Sequence, residues 1–236
     1  MVFSPTPMDF DKFRIRFRKQ GDLRFLSHHD LMRTFERMLR RAALPFRSTE
    51  GFHPHPRLVF ALSLPLGVVG LDEVVELELL EKIPAAEVLG RLAAQCPLGL
   101  ELISIRSILP RLTGQVCRAS YRLPVPEKRL EEVEPLISEL MGREEISVER
   151  THPQPKRVNI RPYLLRVRTA ADAVEFDLQV TPTGSARAEE VLRLLGLVDL
   201  LDSGEILERT QLELLDESNA ACRVIEQPAA VPQSAT

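Results

Sequence analysis

Four of the five histidines crowd into one stretch of sequence: His28 and His29, then His53 and His55 in the segment GFHPHPR at 51–57. Histidine titrates near neutral pH, so a cluster of this kind suits general acid–base work or metal ligation. A zinc site needs three or four convergent ligands, and no cysteine lies near these histidines. The expectation is therefore no metal. Four arginines, Arg33, Arg37, Arg40 and Arg41, are spaced i, i+4, i+7 and i+8. On a helix that spacing puts them on one face, with only Asp30 and Glu36 nearby to neutralise them. They are the candidate contacts for an external anion, RNA phosphate above all. In GFHPHPR two X-Pro steps hold the chain extended and display Phe52, His53, His55 and Arg57 together. Such a set can stack on and hydrogen-bond an unpaired base. His28 or His55 is the candidate general acid–base if the protein processes RNA, although the sequence shows no orienting partner for either.

Other chemistries leave no mark. There is no Walker A loop, no GxGxxG and no GxSxG. No Cys-x3-Cys-x2-Cys is present, so this chain does not itself hold a radical-SAM iron–sulfur cluster. No cofactor is expected, and no residue is assigned a catalytic role.

The elements that must position these residues follow from periodicity. KFRIRFR at 12–18 alternates Phe13, Ile15 and Phe17 with Arg14, Arg16 and Arg18, a half-buried strand with one arginine face. A helix is predicted over 26–43 on the stripe Leu31, Phe35, Met38, Leu39 and Ala42. Ser27 with Asp30 reads as its N-terminal capping pair, and Pro45 as its stop. That helix spans about 25 Å, so His28 and His53 start at opposite ends of it unless the loop folds back. Strands at 58–64, 73–80 and 100–108 and a helix at 84–95 complete the order β-α-β-β-α-β, the ferredoxin-like unit. After a linker at 110–117 the pattern partly repeats. Strands are predicted at 118–124 and 146–149, a hairpin at 160–168 with 173–180, helices at 127–141 and 188–195, and a closing strand at 206–214. The fold expected is α+β, two ferredoxin-like α/β sandwich domains at 10–108 and 117–216, with a disordered tail at 217–236. Opposite charges across neighbouring strands suggest pairs of Arg14 and Arg16 with Glu76 and Glu78, and of Arg166 and Arg168 with Glu175 and Asp177.

Composition sets the outer bounds. The chain has 236 residues, 44% hydrophobic and 28% charged, which is ordinary globular material. No run approaches the roughly 18 apolar residues of a membrane-spanning helix. The first nine residues lack the pattern of a secretory signal. Three scattered cysteines fit a reducing cytoplasm. The net charge of −3 hides a split. Residues 11–60 carry twelve basic and five acidic side chains, whereas 188–236 carry three basic and ten acidic ones. A basic segment in an acidic protein marks a phosphate-rich partner or neutralisation between neighbouring elements.

Residues 24–68, RFLSHHDLMRTFERMLRRAALPFRSTEGFHPHPRLVFALSLPLGV, together with DEVVELEL and NIRPYL, resemble the DUF2344 family of radical-SAM-linked (radical-SAM-associated) proteins. The likeness covers roughly residues 12–215. The family pattern falls on Ser27, His28, Asp30 and Arg33, on Gly51, Phe52, Pro54 and Pro56, on Gly67, and on Arg161, Pro162 and Tyr163. His53 stands where the family more often has Asn. The resemblance implies a partner of a radical-SAM enzyme, here in its stand-alone form, and implies no known activity. The function expected is an accessory protein, non-catalytic, that presents RNA or docks a radical-SAM partner. Arg33, Arg37, Arg40 and Arg41 would meet phosphates, while Phe52, His55 and Arg161 line a specific pocket; Arg57 is a further RNA- or partner-binding candidate, and Ser27, His28, Asp30 and Tyr163 are the polar pocket candidates. The rivals are a protein–protein adaptor without RNA contact and an RNA-processing or RNA-modifying enzyme.

Overall fold

A computed structural model describes residues 10–52, 54–151 and 154–217. In β1 (Asp11–Lys19) the period-two pattern does what it predicts: Phe13, Ile15 and Phe17 are buried in one hydrophobic cluster. Helix α1 (His28–Arg41) lays Leu31, Phe35, Met38 and Leu39 on that same cluster. Three further strands, β2 (Leu58–Phe60), β3 (Val69–Leu79) and β4 (Leu100–Ile108), and helix α2 (Ala85–Ala93) complete the first half. Its strands run in the order β4-β1-β3-β2, and every neighbouring pair is antiparallel.

The second half holds β5 (Val116–Pro124), α3 (Glu127–Gly142), β6 (Ser147–Arg150), β7 (Lys156–Asn159), β8 (Leu164–Thr169), β9 (Ala173–Thr181), β10 (Gly184–Ser185), α4 (Ala188–Leu194), α5 (Val198–Asp202) and β11 (Glu208–Leu214). Four of its strands lie in the order β11-β5-β9-β8, again antiparallel. A second hydrophobic cluster sits here, around Tyr121, Leu123, Phe176 and Leu178. The two halves share one nine-stranded sheet because β11 pairs with the start of β3, Glu208 beside Val69 and Arg209 beside Gly70. That junction is parallel. The molecule is therefore a mixed α/β protein with one large, mostly antiparallel sheet, and β6 with β7 forms a separate hairpin.

Several expectations are corrected. The strand expected at 58–64 ends at Phe60. Beyond it the carbonyls of Leu62 and Ser63 turn to the guanidinium of Arg209, at 3.1 and 3.0 Å. The strand expected at 160–168 is broken by a 3-10 turn at Arg161–Tyr163, where Pro162 has no N–H to give a ladder. Arg14 does pair with its register partner Glu76, at 2.8 Å. Arg16 does not reach Glu78. It stands opposite Val74 and pairs with Asp72 and Glu217, while Glu78 binds Arg47 at 2.9 Å. In the second half, Arg166 meets Asp177 at 2.9 Å and Arg168 meets Glu175 at 2.5 Å, both in register. The expected tail at 217–236 starts too early, since Glu217 is held by three arginines; residues 218–236 lie outside the described residues.

Candidate nucleic-acid interface

The amino end of α1 is closed as its sequence requires. Ser27 Oγ accepts from the Asp30 N–H at 3.1 Å and donates to the Asp30 carboxylate at 2.7 Å. That consumes Ser27 and much of Asp30, whose other oxygen lies 3.5 Å from Arg33. His28 packs edge-on against Phe60, 5.3 Å between ring centres. Ser27, His28 and Asp30 thus hold the helix start. Gly67 adopts φ 79°, open to glycine, and donates to the Arg24 carbonyl at 3.0 Å, which fastens the 65–68 turn beside them.

The four helix arginines are all exposed but not equivalent. Arg33 is matched by Asp30, and Arg40 by Glu36 at 2.9 Å. Arg37 and Arg41 have no carboxylate partner among the described residues. Arg37 donates only to Thr34 Oγ1, at 3.4 Å. Both line a groove of about 460 Å³ between α1, the residues Leu23 and Leu26, and the turn Gln95–Cys96–Pro97 after α2. Burial pushes the Cys96 thiol up, so it stays protonated there and offers no nucleophile. The turn residues at 95–97 carried no signal in the sequence, because only the packing of α2 beside α1 brings them to the arginines.

The Pro-rich loop folds back along α1 as a narrow hairpin. Thr49 N–H donates to His55 O and Arg57 N–H to Arg47 O, each at 2.8 Å. This places His55 Nδ1 at 3.4 Å from Glu36 Oε2, halfway along α1, in a small pocket of about 190 Å³ shared with His29 and Arg33. Burial alone would raise the Glu36 carboxyl, but Arg40 and His55 hold it below the usual range. Phe52 stands fully exposed. Arg57 has its Nε buried without a hydrogen-bond partner among the described residues. His53 lies outside them. Glu36 is the residue the sequence reading missed as a partner for His55; its i, i+4 spacing to Arg40 was visible, but not the return of the loop.

Arg161 is corrected. Its guanidinium is spent on backbone, giving Nε to Arg143 O at 2.9 Å, Nη2 to Met141 O at 3.0 Å and Nη1 to Leu164 O at 3.2 Å. It closes the carboxyl end of α3 and does not join the His55 pocket. Tyr163 packs against the second cluster beside Gly184, and it is not among the residues lining the His55 pocket. A further cleft of about 660 Å³ opens where the two halves join, lined by Phe25, Leu66, Val68, Tyr121 and Leu207, with Arg209 among its walls. No metal-binding group of three or more His, Cys, Asp or Glu occurs among the described residues. No helix among them is long and apolar enough to cross a membrane.

Fold and site define an α/β protein with an arginine-lined groove on the helical side of a shared sheet. Residues 12–193 match the family described as "Uncharacterized protein conserved in bacteria (DUF2344)", and the chain belongs to that family. No curated protein matches it. Among solved structures, it is similar to one titled "Crystal Structure of an Unknown Protein from Galdieria sulphuraria", at 12% identity and a TM-score of 0.29, over 88% of this chain and 99% of that one.

Proposed function

We propose that this chain is a non-catalytic accessory protein that works beside a radical-SAM enzyme in the cytoplasm and holds an RNA substrate by its phosphates along α1. The observation that carries the reading is the pair Arg37 and Arg41, one turn apart, exposed on a groove and unmatched by carboxylate among the described residues, while Arg33 and Arg40 are internally paired. The fold suits a presenting role if each half is a ferredoxin-like unit, as the repeated strand order β4-β1-β3-β2 and β11-β5-β9-β8 supports. The test is fluorescence anisotropy of the full chain with a fluorescein-labelled single-stranded RNA over a salt series. Arg37→Gln with Arg41→Gln weakens binding and reduces the magnitude of the log–log salt slope by about 1.4. An unchanged slope and affinity overturn the reading. A radical-SAM enzyme that co-purifies with the tagged protein, and is lost on nuclease treatment, is the companion result expected in cells.

The contact of His55 with Glu36 favours a second reading, an RNA-processing enzyme with His55 as general base, since a carboxylate beside an imidazole orients it. Under that reading His55→Ala abolishes processing of RNA without weakening RNA binding. Under the first, RNA emerges intact from both proteins.

A further inference from the structure

The opposite face of the first half carries a second concentration of positive charge. Phe13, Ile15 and Phe17 point to the helices, so Lys12, Arg14 and Arg16 point away from them. Arg106 on β4 is the register partner of Arg14 and joins this face. The sheet supplies two carboxylates against these four cations. Glu76 binds Arg14 and Lys12, each at 2.8 Å, and Asp72 binds Arg16. The remaining two come from the residues just past β11. Asp216 binds Arg14 at 2.8 Å. Glu217 places one oxygen on Arg14 at 2.6 Å and on Arg106, and the other on Arg16 at 2.6 Å.

Three guanidinium groups from two strands thus converge on one carboxylate. Arg14 is nine-tenths buried and more, so this is a built site and not a solvated patch. Arg14 also serves Glu76 and Asp216, and Arg16 also serves Asp72, but each of the three guanidiniums turns an N–H to the seat of Glu217, whose carboxylate has two oxygens and a single charge to offer them. A phosphate monoester brings three terminal oxygens and a charge between about −1.5 and −2 near neutral pH. We propose that the seat of Glu217 is a phosphate-binding site formed by Arg14, Arg16 and Arg106, and that the Glu217 carboxylate is its internal stand-in. The ligand is a terminal phosphate, whether free or on a nucleotide chain. The site lies on the other face of the sheet from α1 and does not depend on the RNA groove proposed there.

The experiment uses the full chain with Glu217→Ala and, as the volume-conserving alternative, Glu217→Gln. Either replacement removes the competing charge and leaves Asp216, Glu76 and Asp72 in place. Calorimetric titration with inorganic phosphate, at constant ionic strength set by chloride, is expected to give binding about tenfold tighter or more than in the unaltered chain. Adding Arg106→Gln, at a half-exposed position, removes the gain. Far-UV circular dichroism checks that each variant is folded. If the alanine variant unfolds, the glutamine variant decides. A parallel titration with a 5′-phosphorylated oligonucleotide and its 5′-hydroxyl counterpart separates the two sources, because preference for the phosphorylated strand over free phosphate points to a nucleotide chain end. Absence of any phosphate gain in the folded variant overturns the proposal, as does a gain that survives Arg106→Gln.

Discussion

Ala43 is the one residue other than glycine with a positive φ among the described residues, 49°. It ends α1 in a Schellman turn: Leu44 N–H reaches Leu39 O and Ala43 N–H reaches Arg40 O, both at 3.1 Å. An L residue in this conformation crowds its Cβ against the backbone at a cost of about 1 kcal/mol, which glycine avoids. Part of that gain is offset by the larger entropy glycine loses on folding. Ala43→Gly is therefore expected to stabilise the protein by about 0.5 kcal/mol, read as a higher urea midpoint at unchanged slope. A lower midpoint would mean that the alanine does not sit left-handed in solution. Pro45 was legible as a helix stop, yet the stop acts two residues earlier. Alanine carries no turn preference, so only the folded backbone reveals it. Arg161 shows the same limit at the site. Its motif was legible, but three carbonyls had to be gathered from α3 and β8 before its guanidinium had a job.

At the scale of elements, periodicity made most helices and strands readable, because burial on one side imposes it: the cores of β1, α1 and β9 fall where alternation and the helical stripe put them. What stayed hidden were attachments. The β6–β7 hairpin is fastened to α4 by Arg150, which meets Glu190 at 2.7 and 2.8 Å. The same carboxylate accepts the Arg187 N–H at 2.8 Å and so also caps α4. Burial by itself would raise the Glu190 carboxyl, but the hydrogen bonds from Arg150 and Arg187 outweigh it and hold its pKa below the usual carboxylate range. A depressed folded pKa contributes stability that is present above the unfolded value, about 4.3 for Glu, and is lost as pH falls through the folded one. Glu190→Gln leaves Arg150 largely buried and unmatched, at a cost of about 3 kcal/mol near neutral pH. The gap between wild type and variant in chemical denaturation should narrow as pH falls below about 4.3. A gap of constant size across that window would place the contribution of Glu190 in its shape and not in its charge.

For the molecule as a whole, the opposed charges of the basic segment at 11–60 and the acidic segment from 188 on were legible in composition, and the structure uses them to tie β1 to the residues just past β11 across one sheet. How the halves join was not legible, because the joining ladder is only two residue pairs long and parallel. At that junction Arg209 is almost fully buried and grips Glu73 with Nε at 2.8 Å and Nη2 at 2.5 Å, while Leu62 and Ser63 take its other donors. The pair spans the seam between the two hydrophobic clusters, so its rupture should weaken their coupling before it weakens either cluster. Arg209→Met leaves the Glu73 carboxylate buried with only Lys19 to oppose it, a loss of about 3–5 kcal/mol. Adding Glu73→Gln removes the stranded charge and recovers a large part of that loss. The two tyrosines, Tyr121 and Tyr163, both lie in the second half, and the chain has no tryptophan. Tyr163 packs in the second cluster and Tyr121 adjoins Arg209 at the seam, so tyrosine fluorescence reports the second half and the seam, whereas far-UV circular dichroism reports both halves. In wild type the two urea transitions are expected to coincide, as one cooperative unit requires. In Arg209→Met they should separate, and in the double variant approach each other again. Coincident transitions in all three proteins would show that the shared sheet, and not this ion pair, couples the halves.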